Sequence, residues 1–352
     1  MDYAKLLEEL ITITLGENAS DLHLATDRVP VIRVAGQLIA IVKQPVLKAE
    51  DISGLLGQLL DKTRVDRFRE EEEVDFAYDF KNQARLRGSA FFQKGKIGIA
   101  LRVIPKVRSL AELNLPSILE TFARRQQGFF LIVGPVGSGK STTLAAMIDL
   151  INKERAEHII TIEDPIEYIF EQKQSIIDQR EIGIDTRDFD RALISAFRQD
   201  VNVIMIGEMR TPRTIATAVT AAETGHLVLS TLHTNNASQT VDRIVDSFEV
   251  GQQDQIRAQL ANGLIGIFSQ RLVPRIAGGL IPVYELLLNT PAVSNLIREK
   301  RTHEIDILIE TGSELGMIDL NRSLAELVRR GEISIESARN VSLNPKGLER
   351  IL

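Results

Sequence analysis

The sequence predicts an α/β fold with two domains, in which an antiparallel sheet with helices precedes a parallel-sheet domain that ends in a helical region. The chain has 352 residues, a length that favours two domains over one. Its first part contains short alternating segments broken by glycine and proline, whereas its second part alternates buried-strand patterns with helical ones. We therefore place the domains at 1–104 and 118–352, joined by a linker at 105–117.

The N-terminal part opens with an amphipathic helix at 2–15, because Leu6, Leu7 and Leu10 recur at helical spacing. A second helical segment spans about 49–69. Strands of a mostly antiparallel sheet are predicted for SDLHLAT, VPVIRVAGQLIAIV, VDFAYDF, ARLRGSAFF and GIALRVIP. The segment PKVRSLAELNLP at 105–116 has a proline at each end and little apolar periodicity, which predicts a linker.

The second part contains apolar runs that are typical of strands buried on both faces, namely FFLIV, HIITI, VIMI and LVLST. Helical segments separate these runs, and this alternation predicts a parallel sheet with crossover helices. From about Gly251 onward the sequence is predicted to be mainly helical.

Composition narrows the classes of function. The net charge of −6 argues against a broad surface for nucleic acid. The absence of cysteine excludes disulfides, thiol catalysis and thiolate zinc sites, and it suits a reducing compartment. The start MDYAKLLEELITITL lacks the basic region of a signal peptide, and no apolar run is long enough to cross a bilayer. We expect no transmembrane segment, so that any membrane association needs a partner or a surface.

The segment GPVGSGKST matches the phosphate-binding pattern G-x-x-x-x-G-K-[ST]. Its glycines let backbone N–H groups turn inward, Lys140 offers a charge to the β and γ phosphates, and Ser141 offers a hydroxyl to Mg²⁺. A glycine-rich turn can match by chance, but this one follows a predicted strand and precedes a predicted helix. We expect ATP and Mg²⁺ as ligands; the predicted nucleotide-binding residues are Gly134, Pro135, Val136, Gly137, Ser138, Gly139, Lys140, Ser141 and Thr142.

Carboxylates follow two other predicted strands. HIITI ends in Glu163 and Asp164, and VIMI ends in Gly207 and Glu208. Because the carboxyl ends of parallel strands meet at one edge of the sheet, these acids are expected beside the phosphate loop. Gly207 leaves room for Glu208 to reach back toward the metal, and Glu163 can act as the base for attack on the γ phosphate. The alternative for Glu163 and Asp164 is a turn cap, since Asp-Pro often starts turns.

Two histidines flank the run LVLST. They are seven residues apart, so they would face opposite sides of a continuous strand, which argues against a shared metal site. His233, at the carboxyl end, is the candidate for contacting a γ phosphate, and His226 is expected to be structural. A partly buried structural role remains the alternative for His233.

Taken together, these residues resemble the secretion-type ATPases, and within them the PilT-type retraction motors of type IV pili. The resembling segments are ASDLHL (19–24), GPVGSGKSTT (134–143), TIEDPIEY (161–168), MIGEMR (205–210), GHLVLSTLHTNNA (225–237), QIRAQLANGLIGIFSQRLVP (255–274) and LGMIDLNRSLAELV (315–328). They span nearly the whole chain, and the ordered set is far more specific than any single motif.

The resemblance implies a PAS-like N-terminal domain and a RecA-like ATPase domain in a hexameric ring that hydrolyses ATP to power pilus retraction. It implies that Glu163 is the catalytic glutamate and that Glu208 assists the metal. It also implies that arginines of the N-terminal domain complete the nucleotide site. Arg87 and Arg102 are the expected equivalents and Arg85 is a further candidate, although each could instead be a solubility charge on an edge strand.

The resemblance further implies a cytoplasmic location at the inner-membrane base of the pilus. The expected partners are other copies of the chain in a homohexamer, an inner-membrane platform protein of the pilus and a sister pilus ATPase, with no nucleic acid.

Two residues depart from the family pattern. Val136 stands where the family usually has threonine, and Ser294, in PAVSNLIRE (291–299), replaces an arginine in a segment tied to retraction. Two alternatives therefore stay open: a nucleotide-binding ring partner of a sister ATPase, and a related secretion or pilus-assembly ATPase. Extension and type II secretion ATPases usually add an N-terminal domain and a four-cysteine zinc insert, which the length of this chain and its lack of cysteine disfavour.

Overall fold

The structure is a computed structural model that describes residues 2–34, 36–81 and 83–352. The chain divides into two compact units, Met1–Lys106 and Val107–Leu352. Most of the predicted linker belongs to the second unit, where Leu110 and Leu115 are buried against the sheet core. None of the helices described is both long and apolar enough to span a membrane.

The first unit is an antiparallel sheet with helices. Its helices are α1 (Tyr3–Gly16), α2 (Ala49–Leu59) and α3 (Lys62–Glu71), and its strands are β1 (Asp21–Ala25), β2 (Val31–Val34), β3 (Gln37–Ala40), β4 (Glu73–Phe80), β5 (Ala84–Gln93) and β6 (Lys96–Ile104). The strand order is β3-β2-β1-β6-β5-β4, with antiparallel neighbours throughout. The helical segment predicted at 49–69 is two helices, because Asp61 caps a new helix by accepting from the Arg64 N–H.

The second unit is built on a mostly parallel sheet. Its strands are β7 (Gly128–Val133), β8 (His158–Glu163), β9 (Ile176–Glu181), β10 (Val203–Ile206), β11 (Leu227–Leu232), β12 (Leu264–Pro274) and β13 (Leu280–Leu288). Its helices are α4 (Ile118–Ala123), α5 (Lys140–Glu154), α6 (Phe189–Ala196), α7 (Pro212–Glu223), α8 (Ala237–Asp246), α9 (Val250–Gly263), α10 (Pro291–Arg298), α11 (Ile305–Thr311), α12 (Leu320–Arg329), α13 (Ile335–Val341) and α14 (Pro345–Glu349). The sheet order is β13-β12-β7-β11-β10-β8-β9.

Helices cover both faces of this sheet, so its central strands are apolar at every position. All six residues of β7 are buried. Phe129 and Leu131 pack into the core on one face, while Phe130 and Ile132 pack into the core on the other. This alternation is the period of two expected for a strand, and it explains why a continuous apolar run folds as a strand here.

The helical character predicted from about Gly251 is confirmed in α9 and again from Pro291 onward. Between these two helical parts the prediction was wrong, because residues 264–288 form the antiparallel hairpin β12–β13. The run LIGIF within β12 is short and uniformly apolar, and such a run cannot be told from a buried helix by periodicity alone. Its parallel pairing with β7 shows that this run is a strand.

Ser294 has a structural partner in this region. Its hydroxyl donates to the carbonyl oxygen of Ala261, near the end of α9, at 2.9 Å and lies 3.0 Å from the Asn289 side chain. The Ser294 hydroxyl therefore ties α10 to the end of α9.

Candidate active site

The phosphate loop connects β7 to α5, as the sequence predicts. Lys140 is the first residue of α5, so the N-terminus of this helix points its free N–H groups into the loop. Gly134 and Gly139 have φ values of 147° and 86°, a region that favours glycine. A Cβ on Gly134 would also lie 2.2 Å from the backbone oxygen of Gln270. This position therefore has no space for a larger residue.

Lys140 lies inside the loop. Its Nζ donates to the carbonyl oxygens of Gly134 and Pro135, both at 2.9 Å. Burial lowers the pKa of Lys140, while the charges of Glu208 and Glu167 oppose that shift. The ammonium group is thus held where the loop can present it to an anion.

A cavity of about 450 Å³ opens above the loop. The residues that line it come from the loop, from α5 and from the ends of β8, β10 and β11, and the predicted site residues among them are Val136, Gly137, Ser138, Gly139, Lys140, Ser141, Thr142, Glu163, Glu208 and His233. Gly134 and Pro135 contribute the carbonyl groups that hold Lys140. The volume is within the usual range for a small-molecule site.

Glu163 ends β8 and is 5% exposed. Burial raises its pKa to about 7, although hydrogen bonds from the Thr161 hydroxyl, the Glu167 N–H and the Gln179 amide act in the opposite direction. Thr161 lies two residues earlier on the same strand and donates to Glu163 Oε1 at 2.7 Å. The bond from Glu167, at 3.3 Å, is the contact that a turn cap would make. A carboxyl that titrates near neutrality can accept a proton at physiological pH.

Glu208 follows β10 after one glycine. A Cβ on Gly207 would lie 3.5 Å from the Cα and 3.8 Å from the Cγ of Glu163, so Gly207 packs directly beside Glu163. The Glu208 carboxylate instead contacts Arg210 at 2.9 Å and His233 at 3.5 Å.

His233 lies between Lys140 and Glu208. Its Nδ1 is 3.4 Å from Lys140 Nζ, and its Nε2 is 3.5 Å from Glu208 Oε1. Because an ammonium group can only donate, Nδ1 accepts in this arrangement and Nε2 carries the proton toward Glu208. His226 directly precedes the first residue of β11, at the opposite end of the strand from His233. Its Nδ1 is 3.0 Å from the Ala221 carbonyl oxygen, and its ring packs edge-on against Phe197.

Arg210 and Tyr168 also line the cavity and were not predicted. Arg210 lies 2.9 Å from Glu208 and 3.4 Å from Asp164, which ties together the acids that follow β8 and β10. The Tyr168 hydroxyl lies 2.7 Å from the hydroxyl of Thr142. Tyr168 lies in the motif TIEDPIEY and Arg210 lies in the motif MIGEMR. Their closeness in sequence to Glu163 and Glu208 could have identified them as site residues.

Arg87 and Arg102 lie in the first unit, directly opposite each other on β5 and β6. These strands are interior in the sheet, so the interpretation as edge-strand charges does not apply. Arg102 donates to Asp21 at 2.8 Å, and 70% of its side chain is exposed. Burial alone would raise the pKa of Asp21, but hydrogen bonds from Ser20 and Arg102 hold it below its ordinary value. Two like charges thus occupy directly opposite positions, and the Asp21 carboxylate offsets part of their repulsion.

Across the described ranges, no group of three or more histidine, aspartate or glutamate side chains could hold a metal ion on its own. Ser141 and Glu208 nevertheless both line the cavity. Mg²⁺ is usually bound by one or two protein ligands together with phosphate oxygens and water. The donor set therefore fits a magnesium ion that arrives with a phosphate ligand.

Comparison with known proteins shows the family to which this chain belongs. The family model for type II/IV secretion system proteins matches residues 2–279. The type IV pilus retraction ATPase PilT of Pseudomonas aeruginosa is 42% identical over 97% of this chain and 99% of its own length. A twitching motility protein of Neisseria gonorrhoeae is 43% identical over 91% of this chain and 86% of its own length.

The solved structures agree with these matches. The crystal structure of the pilus retraction motor PilT with bound ADP matches this chain with a TM-score of 0.92 and 41% identity, covering 97% of this chain and 98% of that one. The chain therefore belongs to the family of type II/IV secretion system proteins.

Proposed function

We propose that this protein is a motor ATPase that hydrolyses ATP to power retraction of type IV pili. The observation that carries the proposal is the meeting, in one cavity, of a phosphate loop that holds Lys140 and of the buried Glu163 carboxyl, whose pKa is about 7. The match to pilus retraction ATPases over nearly the whole chain supports the biological output.

The residues of the cavity divide the chemical work. The loop N–H groups, the N-terminus of α5 and Lys140 hold the β and γ phosphates and neutralise their charge. Glu163, once deprotonated, orients the attacking water and takes its proton. His233, which contacts both Lys140 and Glu208, lies where it can respond to the loss of the γ phosphate.

Ser141 and Glu208 are the residues that would hold Mg²⁺. The ion would supply positive charge against the phosphate oxygens. Glu208 already contacts Arg210, two residues along the same loop, and His233, which follows β11, so both partners hold its carboxylate at the cavity.

The working form that we propose is a homohexamer on the cytoplasmic side of the inner membrane, docked on the platform protein at the pilus base. An arginine supplied in cis or in trans stabilises the charge that develops during phosphoryl transfer. Arg87 and Arg102 are proposed for this role because both side chains are exposed on one face of the first unit. A sister pilus ATPase is a further proposed partner.

A direct test measures Mg²⁺-dependent ATP hydrolysis by the purified protein and by Lys140→Ala. The variant is expected to lose turnover and to bind ATP more weakly, because it lacks the cation of the phosphate loop. In cells, deletion of the gene is expected to increase pilus number and abolish surface movement, and Lys140→Ala should not restore either. Full ATPase activity of the purified Lys140→Ala variant would contradict the assignment of the phosphate loop as the nucleotide site.

One observation favours a second candidate. Ser294 stands where the retraction motors that this chain resembles usually carry arginine, and its hydroxyl donates to the Ala261 carbonyl near the end of α9. The alternative function is a nucleotide-binding ring partner of a sister ATPase. Turnover by the isolated protein separates the two, since a ring partner without its own hydrolysis would bind ATP and leave it intact.

A further inference from the structure

Gln270, in β12, is a polar side chain buried beneath the phosphate loop, and the proposed mechanism does not use it. Only 3% of the residue is exposed. Its Nε2 donates to the carbonyl oxygen of Ser138 at 2.9 Å, and its Oε1 accepts from the Thr143 hydroxyl at 2.6 Å. One amide group thus joins the loop to the first turn of α5, from a strand 132 residues away from Ser138 in sequence.

The bond to Ser138 controls the direction of a loop N–H group. In a planar trans peptide the C=O of one residue and the N–H of the next point in opposite directions. Because the Ser138 carbonyl points at Gln270, the Gly139 N–H points away from Gln270. Gly139 has a φ of 86° and no side chain that would oppose rotation of this peptide. The amide of Gln270 therefore supplies a constraint that the glycine itself lacks.

The strand that carries Gln270 is itself held in place. The backbone oxygen of Gln270 is close enough to the loop to exclude a side chain at Gly134. The next residue, Arg271, donates to the carbonyl oxygen of Val341 at 3.3 Å. β12 therefore gives the phosphate loop a support that is anchored on the C-terminal helices.

We propose that Gln270 is a positioning residue that holds the Ser138–Gly139 peptide in the orientation that binds phosphate. This inference rests on the proposed nucleotide site and adds a residue to it. Gln270 raises the affinity for nucleotide through the loop and contacts neither phosphate nor the attacking water. Its loss raises the Kd for ADP and the KM for ATP and changes kcat at saturating ATP much less.

The test uses two substitutions of similar size and one control. Gln270→Met keeps the volume and removes both hydrogen bonds. Gln270→Glu keeps the acceptor for Thr143, but when ionised it places a second acceptor against the Ser138 carbonyl. When protonated, the same carboxyl again offers a donor to that carbonyl. Gln255→Met, at an exposed position of α9, is the matched control.

The measurements are the Kd for ADP by titration between pH 5.5 and 8, the KM and kcat for ATP, and the melting temperature without nucleotide. Gln270→Met is expected to weaken ADP binding by ~10-fold to ~100-fold at every pH, because buried polar groups lose their partners. ADP binding by Gln270→Glu is expected to be weakest at pH 8 and to approach the affinity of the wild type at pH 5.5. A purely structural role would not produce this recovery of affinity.

Two outcomes decide against the inference. If wild-type protein binds ADP and both variants bind it equally well at all pH values, Gln270 does not position the loop. If a variant melts at lower temperature yet keeps its ADP affinity, the amide only stabilises the fold. Failure of the proposed function gives a different result, because wild-type protein itself would then bind no nucleotide or would bind ATP without hydrolysing it.

Discussion

At the scale of single residues, Glu163 and Glu208 show how two carboxylates near one cavity acquire different properties. Glu163 is buried and has a pKa raised to about 7, whereas Glu208 is partly exposed and contacts Arg210 and His233. A buried carboxyl loses solvation of its charged form, which favours the neutral form. The environment therefore suits Glu163 to proton transfer and Glu208 to charge interactions.

This difference predicts distinct defects for the two amide variants. Glu163→Gln is expected to bind ATP almost as tightly as wild type while turnover falls by ~10² or more, because only the base is lost. Glu208→Gln is expected to require more Mg²⁺ for half-maximal activity. Steady-state hydrolysis over a range of Mg²⁺ concentrations and ATP-binding titrations measure both effects. Equal, small effects from the two changes would return Glu163 to the role of a turn cap.

The hydrogen bond from Thr161 predicts a shift in the pH profile. The proposed base must be ionised, so kcat/KM should rise with pH through about 7, the pKa of Glu163. The Thr161 hydroxyl stabilises the carboxylate. Thr161→Val is therefore expected to move this acidic limb to higher pH by about one unit, as loss of a hydrogen bond to a charge implies.

Thr161→Ser keeps a hydroxyl at the same position and is the matched control. Its acidic limb should stay near that of the wild type. A limb at the same pH in the valine and serine variants would show that another group titrates in the profile.

At the scale of secondary-structure elements, the hairpin β12–β13 supports two parts of the site. β12 lies beneath the phosphate loop, and β13 carries Glu285, whose Oε1 accepts the Ala237 N–H at the start of α8 at 2.8 Å. The loop that leads into α8 begins at His233. An ionised carboxylate at a helix N-terminus is favourable, yet burial raises the pKa of Glu285 to about 7.

Burial of Glu285 predicts how stability depends on pH. Its pKa in the folded protein, about 7, lies above the ordinary 4.5, so the folded state keeps a proton that the unfolded state releases. The contribution of the Glu285 carboxyl to the free energy of unfolding is fully present below about pH 4.5. It decreases by about 1.4 kcal/mol per pH unit as the pH rises to about 7. Glu285→Gln cannot ionise, so its stability relative to wild type should increase from pH 5 to pH 8.

Thermal melting of the nucleotide-free protein at the two pH values measures this difference. Glu314→Gln, at an exposed position, is the control and should follow the wild type at both. A Glu285→Gln variant that tracks the wild type at both pH values would mean that Glu285 ionises normally in the folded state.

At the scale of the whole molecule, the proposed ring explains why the first unit carries an unfavourable pair of like charges. Arg87 and Arg102 lie directly opposite each other on β5 and β6, and Arg102 donates to Asp21 on β1, the strand on its other side. Such an arrangement costs stability within one chain. It gains a function if the guanidinium groups meet the phosphates of a bound nucleotide in the assembled ring.

Arg102→Ala is therefore expected to reduce turnover by ~10³, the usual contribution of an arginine to phosphoryl transfer, while nucleotide binding and hexamer formation persist. Turnover per chain is expected to rise with protein concentration as rings assemble. Hydrolysis measured against concentration, with mass from light scattering, checks both. Arg67→Ala, an exposed arginine of α3, is the control. A monomer at full activity, indifferent to loss of Arg87 and Arg102, would refute the ring mechanism.

Much of the site could be predicted because its information is local or follows from strand order. The phosphate loop is contiguous from Gly134 to Ser141, and the combination of its glycines with Lys140 indicates phosphate binding. The placement of Glu163 and Glu208 at one edge follows from the rule that parallel strands end together. The alternating segments of the first unit likewise predicted an antiparallel sheet without knowledge of its strand order.

The remaining features depend on contacts between residues that are distant in sequence. The pKa of Glu163 is set by how deeply β8 is buried, and Gln270 reaches the phosphate loop across 132 residues. The interior position of Arg87 and Arg102 required the order of the strands. The sequence by itself determined the phosphate loop, the strand-end acids and the class of fold, because each is encoded within a short segment. Only the tertiary structure decided burial, partners and the hairpin β12–β13, because these depend on which segments pack together.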